Sequence, residues 1–226
     1  MKHFLFLLLV GSFTCCSEPG DTAVIKAYFK EVALGAEFGD TEPVVRKWDI
    51  DIHISTAGNW PDHLRNELNL IVGELNELIN AVDILDVDST QAHNFVIFIG
   101  NPSDYVTIEP SAQPYVGANY GLFWVYWDRS RINKGSSYID PVRADTQVWQ
   151  KHLLREELTQ ALGLMNDSDK YDDSIFFQGR SYTTSYTDLD KNLIRLLYHE
   201  DIKPGMTWAE AEPVLSRLLE DASVLD

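Results

Sequence analysis

The chain has 226 residues, 45% of them hydrophobic, with six Trp, ten Tyr and ten Phe, so a packed core is expected rather than disorder. Acidic residues number 35 against 18 Lys plus Arg, a net charge of -17. A field of that sign repels phosphate backbones and excludes nucleic acid as a partner.

The first predicted element is a leader. Lys2 precedes the apolar run FLFLLLV, which is too short to span a bilayer comfortably. A secretory signal peptide is therefore expected over 1–15. The following stretch GSFTCCSEP resembles a bacterial lipoprotein signal, in which a cysteine becomes the lipidated first residue of the mature chain. Cys16 is expected to carry the lipid, because Thr14 and Cys15 put small residues before the cut; Cys15 is the alternative. Nothing after Cys16 is cysteine, so no disulfide framework is available. Residues 16–22 then read as a tether and 23–226 as a single domain, since no repeat or Pro/Gly-rich linker divides them. The resemblance implies export to the bacterial cell envelope and anchoring by acyl chains, with the outer membrane as the expected site.

The segment DTAVIKAYFKEVALGAEF (21–38) has helical spacing and a cap at Asp21 or Thr22. From Trp48 to Ser55 apolar and polar residues alternate, with Trp48, Ile50, Ile52 and Ile54 on one face of a predicted strand. Pro61 opens a long helix with an apolar stripe through Leu64, Leu68, Ile71 and Leu75. HNFVIFIGN (93–101) reads as a central strand, and 102–120 as a long loop of the kind that often carries function. GLFWVYW (121–127) and RINKGSSYI (131–139) predict two further strands. A helix capped by Asp145 or Thr146 runs to about Leu162 and stops at Gly163. An acidic loop, NDSDKYDDS, precedes helices over 187–198 and 207–219, the last opened by the capping-box pattern TWAE. The order gives an α/β (α+β) plan with the sheet early and helices late.

The helix containing REELTQALGLMND concentrates the chemistry. At 100° per residue Leu154, Leu158, Ala161 and Leu162 form the core stripe, while Glu156, Glu157 and Gln160 share the remaining arc. Histidine-bearing HExxH helices place two zinc ligands at the positions of Glu156 and Gln160 and a general base at Glu157. The longer HExxHxxGxxH pattern adds a glycine at Gly163 and a third ligand at Asn166. Here the frame fits at Glu157 and Gly163 and lacks all three histidines. One carboxylate and two neutral amides hold zinc poorly. On spacing alone, a solvated polar face on an ordinary amphipathic helix is the simpler reading. His152, four residues before Glu156, is expected at the surface, with an imidazole added to that arc as the alternative. The carboxylates Asp167, Asp169, Asp172 and Asp173 are expected in a solvated loop, which lacks the glycine and terminal glutamate of a calcium loop.

The blocks REELTQALGLMNDSDKYDDSIF and LLYHEDIKPGMTWAEA, with the earlier RKW (46–48), resemble a bacterial envelope family known as domain-of-unknown-function family 2927. That family looks like a relative of the zincin and metzincin metallopeptidases. The resemblance implies one metzincin-like domain with a small mixed twisted sheet and Met206 as a methionine-turn candidate. It also implies a protease-like cleft beside the aromatic strand at 121–127. The expected function is a non-catalytic module binding extended peptide or an envelope protein, without metal or cofactor. The alternatives are a metallohydrolase using Glu156 with Glu157 as base, zinc belonging to that reading only, and a purely structural lipoprotein.

Overall fold

A computed structural model describes residues 21–36 and 41–221. The expected signal peptide, Cys15, Cys16 and tether residues 17–20 lie outside the described residues, as do 37–40 at the end of the first predicted helix. Among the described residues no helix is long and apolar enough to cross a membrane.

The helices are α1 (Thr22–Ala33), α2 (Asp62–Leu78), α3 (Pro102–Ile108), α4 (Gln147–Gln160), α5 (Asp188–Tyr198) and α6 (Trp208–Glu220). The strands are β1 (Lys47–Trp48), β2 (Ile52–Gly58), β3 (Ile84–Asp86), β4 (Phe95–Ile99), β5 (Gly121–Asp128) and β6 (Arg131–Ile139). The class is α/β, as expected, with a mostly parallel sheet in which only β5 runs antiparallel to its neighbour.

Strand β6 organises the sheet. Strand β5 occupies one of its edges from Gly121↔Ile139 to Asp128↔Arg131. The other edge is shared: β4 lies opposite residues from Gly135 to Ile139, and β1 opposite Arg131 and Ile132. Strand β2 follows β4, and β3 follows β2. Strand β5 is therefore an outer strand, and among the described residues no strand or bridge pairs with its second edge. The hairpin turns at Arg129 (φ 45°) and Ser130 (φ 65°), two left-handed residues whose twist suits antiparallel partners.

Alternation sends the strand side chains to two faces. Ile97, Ile99, Phe123, Val125 and Ile139 join the main core with Leu64 and Leu68 of α2 and Leu154 and Leu158 of α4. Phe98, Leu122 and Tyr138 form a second cluster on the opposite face, where Tyr105 of α3 stacks on Tyr138 at 4.9 Å. The C-terminal helices α5 and α6 pack on α1.

Several elements depart from the sequence expectation. The strand predicted from Trp48 to Ser55 is two strands. Trp48 pairs with β6 while Ile52 pairs with β3, so the chain changes neighbours across 49–51 and leaves Ile50 48% exposed. Helix α1 stops at Ala33 because Leu34 turns extended and bridges Val45. The tether boundary also shifts: Asp21 caps α1 by accepting from the Ala23 amide at 2.8 Å. The predicted loop at 102–120 contains α3, which Asn101 caps and Pro102 starts.

Candidate functional site

Thr146 caps α4. An amphipathic helix with a solvated polar face was expected here, but every residue from His152 to Gln160 is buried. Polar groups removed from water require partners, because each unpaired one costs about 1–3 kcal/mol. Two sets of partners divide the helix.

The first set faces α2. The guanidinium of buried Arg155 donates to Glu67 at 2.9 Å and to Glu74, and lies 4.6 Å from the Tyr186 ring. Lys151 adds a second cation to Glu67 at 3.3 Å. The hydroxyl of Thr159 donates to the Arg155 carbonyl at 2.6 Å. This network locks the rotation of α4 about its axis.

That rotation aims His152, Glu156, Glu157 and Gln160 into a pocket of about 260 Å³ roofed by Gly121 and Phe123 of β5 and walled by residues 178–181. His152 is not at the surface: it is 1% exposed. Its Nδ1 lies 2.8 Å from the Thr183 carbonyl, which can only accept, so the proton sits on Nδ1 and Nε2 faces Glu156 Oε2 at 3.3 Å. Burial lowers the imidazole pKa, but the bond to Glu156, the Glu156 charge and the Thr183 carbonyl outweigh it and the net shift is upward. Gln160 Nε2 donates to Asp167 Oδ1 at 2.5 Å. Burial, and then the Glu156 charge, push the Asp167 carboxyl up to about 6 against the opposing pull of Gln160 and His152. Asp167 was expected in a solvated loop; instead the chain turns it into the pocket, while Asp169, Asp172 and Asp173 are exposed.

The turn that delivers Asp167 depends on Gly163. Its φ is 123°, and a Cβ there would lie 2.0 Å from the Arg46 carbonyl oxygen. Neighbouring Trp48 donates to the Ala161 carbonyl at 2.9 Å, so the RKW segment clamps the exit of α4.

Not every predicted site residue reaches the pocket. Glu156, Glu157 and Gln160 do. Asn166 turns the other way: its amide donates to the carbonyls of Glu31 and Leu34, at 3.0 and 2.9 Å, and fastens the end of α1. Met206 lies in the turn before α6, where its carbonyl accepts from the Val45 amide at 2.8 Å and its sulfur accepts from the Lys203 amide at 3.3 Å. Met165 instead borders a second, apolar pocket along β5. Asp167 was the residue sequence spacing missed, since counting along the motif points to position 166. The signal available was its carboxylate, the ionisable side chain adjacent to the third-ligand position.

Zinc belongs to the metallohydrolase alternative only, and the three motif positions that would ligate it do not converge on one point. Glu156 faces an imidazole, Gln160 offers an amide already engaged with Asp167, and Asn166 is bound to α1. Among the described residues no three His, Cys, Asp or Glu side chains are grouped to hold a metal ion.

The fold and site together define an α/β domain whose buried polar helix lies beneath an antiparallel edge strand. The chain belongs to the family described as "Protein of unknown function (DUF2927)", whose profile matches residues 22–217. Among solved structures, archaemetzincin from Methanopyrus kandleri is similar at 10% identity, covering 76% of this chain and 97% of that one, with a TM-score of 0.36. Comparison with curated proteins gives no match.

Proposed function

We propose that this domain is a non-hydrolytic binding module that takes an extended peptide along the second edge of β5. The observation that carries this reading is the groove itself. The polar pocket under Gly121 and the apolar pocket bounded by Val125, Trp127 and Met165 adjoin along one strand, and Phe123 lines both. An outer strand offers unpaired main-chain donors and acceptors to an incoming strand, while flanking pockets take its side chains. Asn166 is held by α1 and Gln160 by Asp167, so the three motif positions do not meet, which supports binding over metal-assisted hydrolysis. The partner is then an extended segment of an envelope protein. Lipid at Cys16, with Cys15 as the alternative, would hold the module at the bacterial membrane, as the leader sequence suggests.

A second reading has its own support. Asp167 titrates at about 6 beside Glu156 and His152, which places acid and base groups close to neutral pH in one pocket. That arrangement would suit a hydrolase. Incubation of the purified protein with a diverse peptide mixture, followed by mass spectrometry of bound and free fractions, separates the two. Retention of intact peptides supports the binding module. New termini that disappear in Glu156→Gln support hydrolysis, and neither outcome would leave a structural role.

A further inference from the structure

The two pockets along β5 differ in chemistry, and their spacing is set by the strand. Gly121, Phe123 and Val125 alternate with Leu122 and Trp124, so the first three face α4. The polar pocket lies at Gly121, where Glu157 Oε1 stands 2.4 Å from the position of an added Cβ. The apolar pocket, of about 60 Å³, lies at Val125. Four residues of strand separate them, a distance of roughly 13 Å. A segment paired to β5 advances at the same rate, so its own side chains four residues apart on one face meet the two pockets.

The polar pocket carries the carboxylates of Glu156, Glu157 and Asp167 against the single imidazole of His152. Arg180 at its rim is already committed: it stacks at 3.8 Å on Trp149 and donates to Asp145 at 3.0 Å. The interior therefore favours a cation, whereas Val125, Met165 and Trp127 favour an apolar group.

We propose that the β5 groove selects extended segments bearing a lysine or arginine and, four residues away on the same face, an apolar side chain. This rests on the peptide-binding reading above and specifies its ligand. Either chain direction satisfies the spacing, because both parallel and antiparallel pairing keep alternate residues on one face.

Fluorescence anisotropy with short fluorescein-labelled Ser/Thr peptides tests it. One pair of peptides carries Lys and Leu four apart, in both orders. A second pair replaces Lys by Glu, and a third places Lys and Leu three apart and so on opposite faces. The better peptide of the first pair should bind at least about tenfold more tightly than its Glu and three-apart counterparts. Glu156→Gln and Asp167→Asn, both near-isosteric, should erase the preference for Lys over Glu. Equal affinity across all three pairs would overturn the selectivity and leave edge binding standing. Binding by none of them would overturn both.

Discussion

Glu157 occupies the space that a side chain at position 121 would need: an added Cβ at Gly121 would sit 2.4 Å from its Oε1 and 3.0 Å from its Cγ. The missing side chain on the edge strand and the carboxylate on the buried helix are complementary. Gly121→Ala should push Glu157 into another rotamer rather than unfold the protein, since a flexible side chain yields more cheaply than backbone. A stability loss of about 1–2 kcal/mol in urea denaturation is expected, together with loss of peptide binding. A variant that binds as well as the parent would remove Glu157 from the account of the pocket.

Gly163→Ala makes the contrasting case. Its Cβ would meet the Arg46 carbonyl oxygen at 2.0 Å, and the backbone there has a φ of 123°. The obstacle at 2.0 Å is main chain, not the end of a flexible side chain. The expected cost is about 3 kcal/mol or more, read as a fall in melting temperature or as failure to accumulate folded protein.

Arg155 positions the site without entering it. Arg155→Met leaves the Glu67 carboxylate buried with only Lys151 nearby. Breaking a buried pair from one side costs about 3–5 kcal/mol. The double variant Arg155→Met with Glu67→Met removes the orphaned charge and should recover much of that loss. Denaturation midpoints of the two variants decide it: equal midpoints would mean that the orphaned Glu67 charge is not the source of the loss.

Asp167 predicts a pH dependence of definite sign. Its folded pKa is raised from the ordinary 3.8 to about 6. The folded state thus holds the proton more tightly than the unfolded chain, and stability present below about pH 4 is lost as pH rises through 6. Asp167→Asn keeps an oxygen for Gln160 and carries no charge. It should be the more stable protein above pH 6, by about 1–2 kcal/mol after allowance for partial solvent screening, with the gap closing towards pH 4. Thermal melts at pH 4 and 7.5 measure this. A constant gap across that range would show that the Asp167 carboxyl is not held out of its ordinary state.

Asn166 and Asp167 are adjacent, and spacing alone chooses the wrong one for the pocket. A periodic count assumes a fixed path after Gly163, whereas the structure spends Asn166 on the carbonyls of Glu31 and Leu34. That contact joins residues far apart in sequence, and no local pattern encodes it. The same holds for α4. Its period was legible, but its polar arc becomes interior because α2, β5 and the 178–183 segment close over it. The hairpin from β5 to β6, the cap of α6 and the α/β class were readable, since they rest on alternation, turn residues and a capping box. Strand β3 was not, because its three residues carry no alternation that stands out from a loop. The SIF and KPGM blocks prove to be scaffold: Ser174 donates to Asp190 at 2.6 Å and accepts from Tyr28 at 2.8 Å, and Gly205 donates to the Val45 carbonyl at 2.8 Å.

Asn166→Ala follows from that division of labour. It removes two partly buried hydrogen bonds at the end of α1 and should cost about 1–2 kcal/mol, while peptide affinity stays within twofold of the parent. A tenfold loss of affinity in folded protein would place Asn166 in the site after all.

Hydrogen–deuterium exchange of the intact protein, with and without a saturating Lys/Leu peptide, tests strand pairing at β5 most directly. Backbone amides within 121–128 should exchange more slowly in the complex, with those of the far edge strand β3 unchanged. Protection confined to other elements, with β5 exchanging at its free rate, would contradict the account.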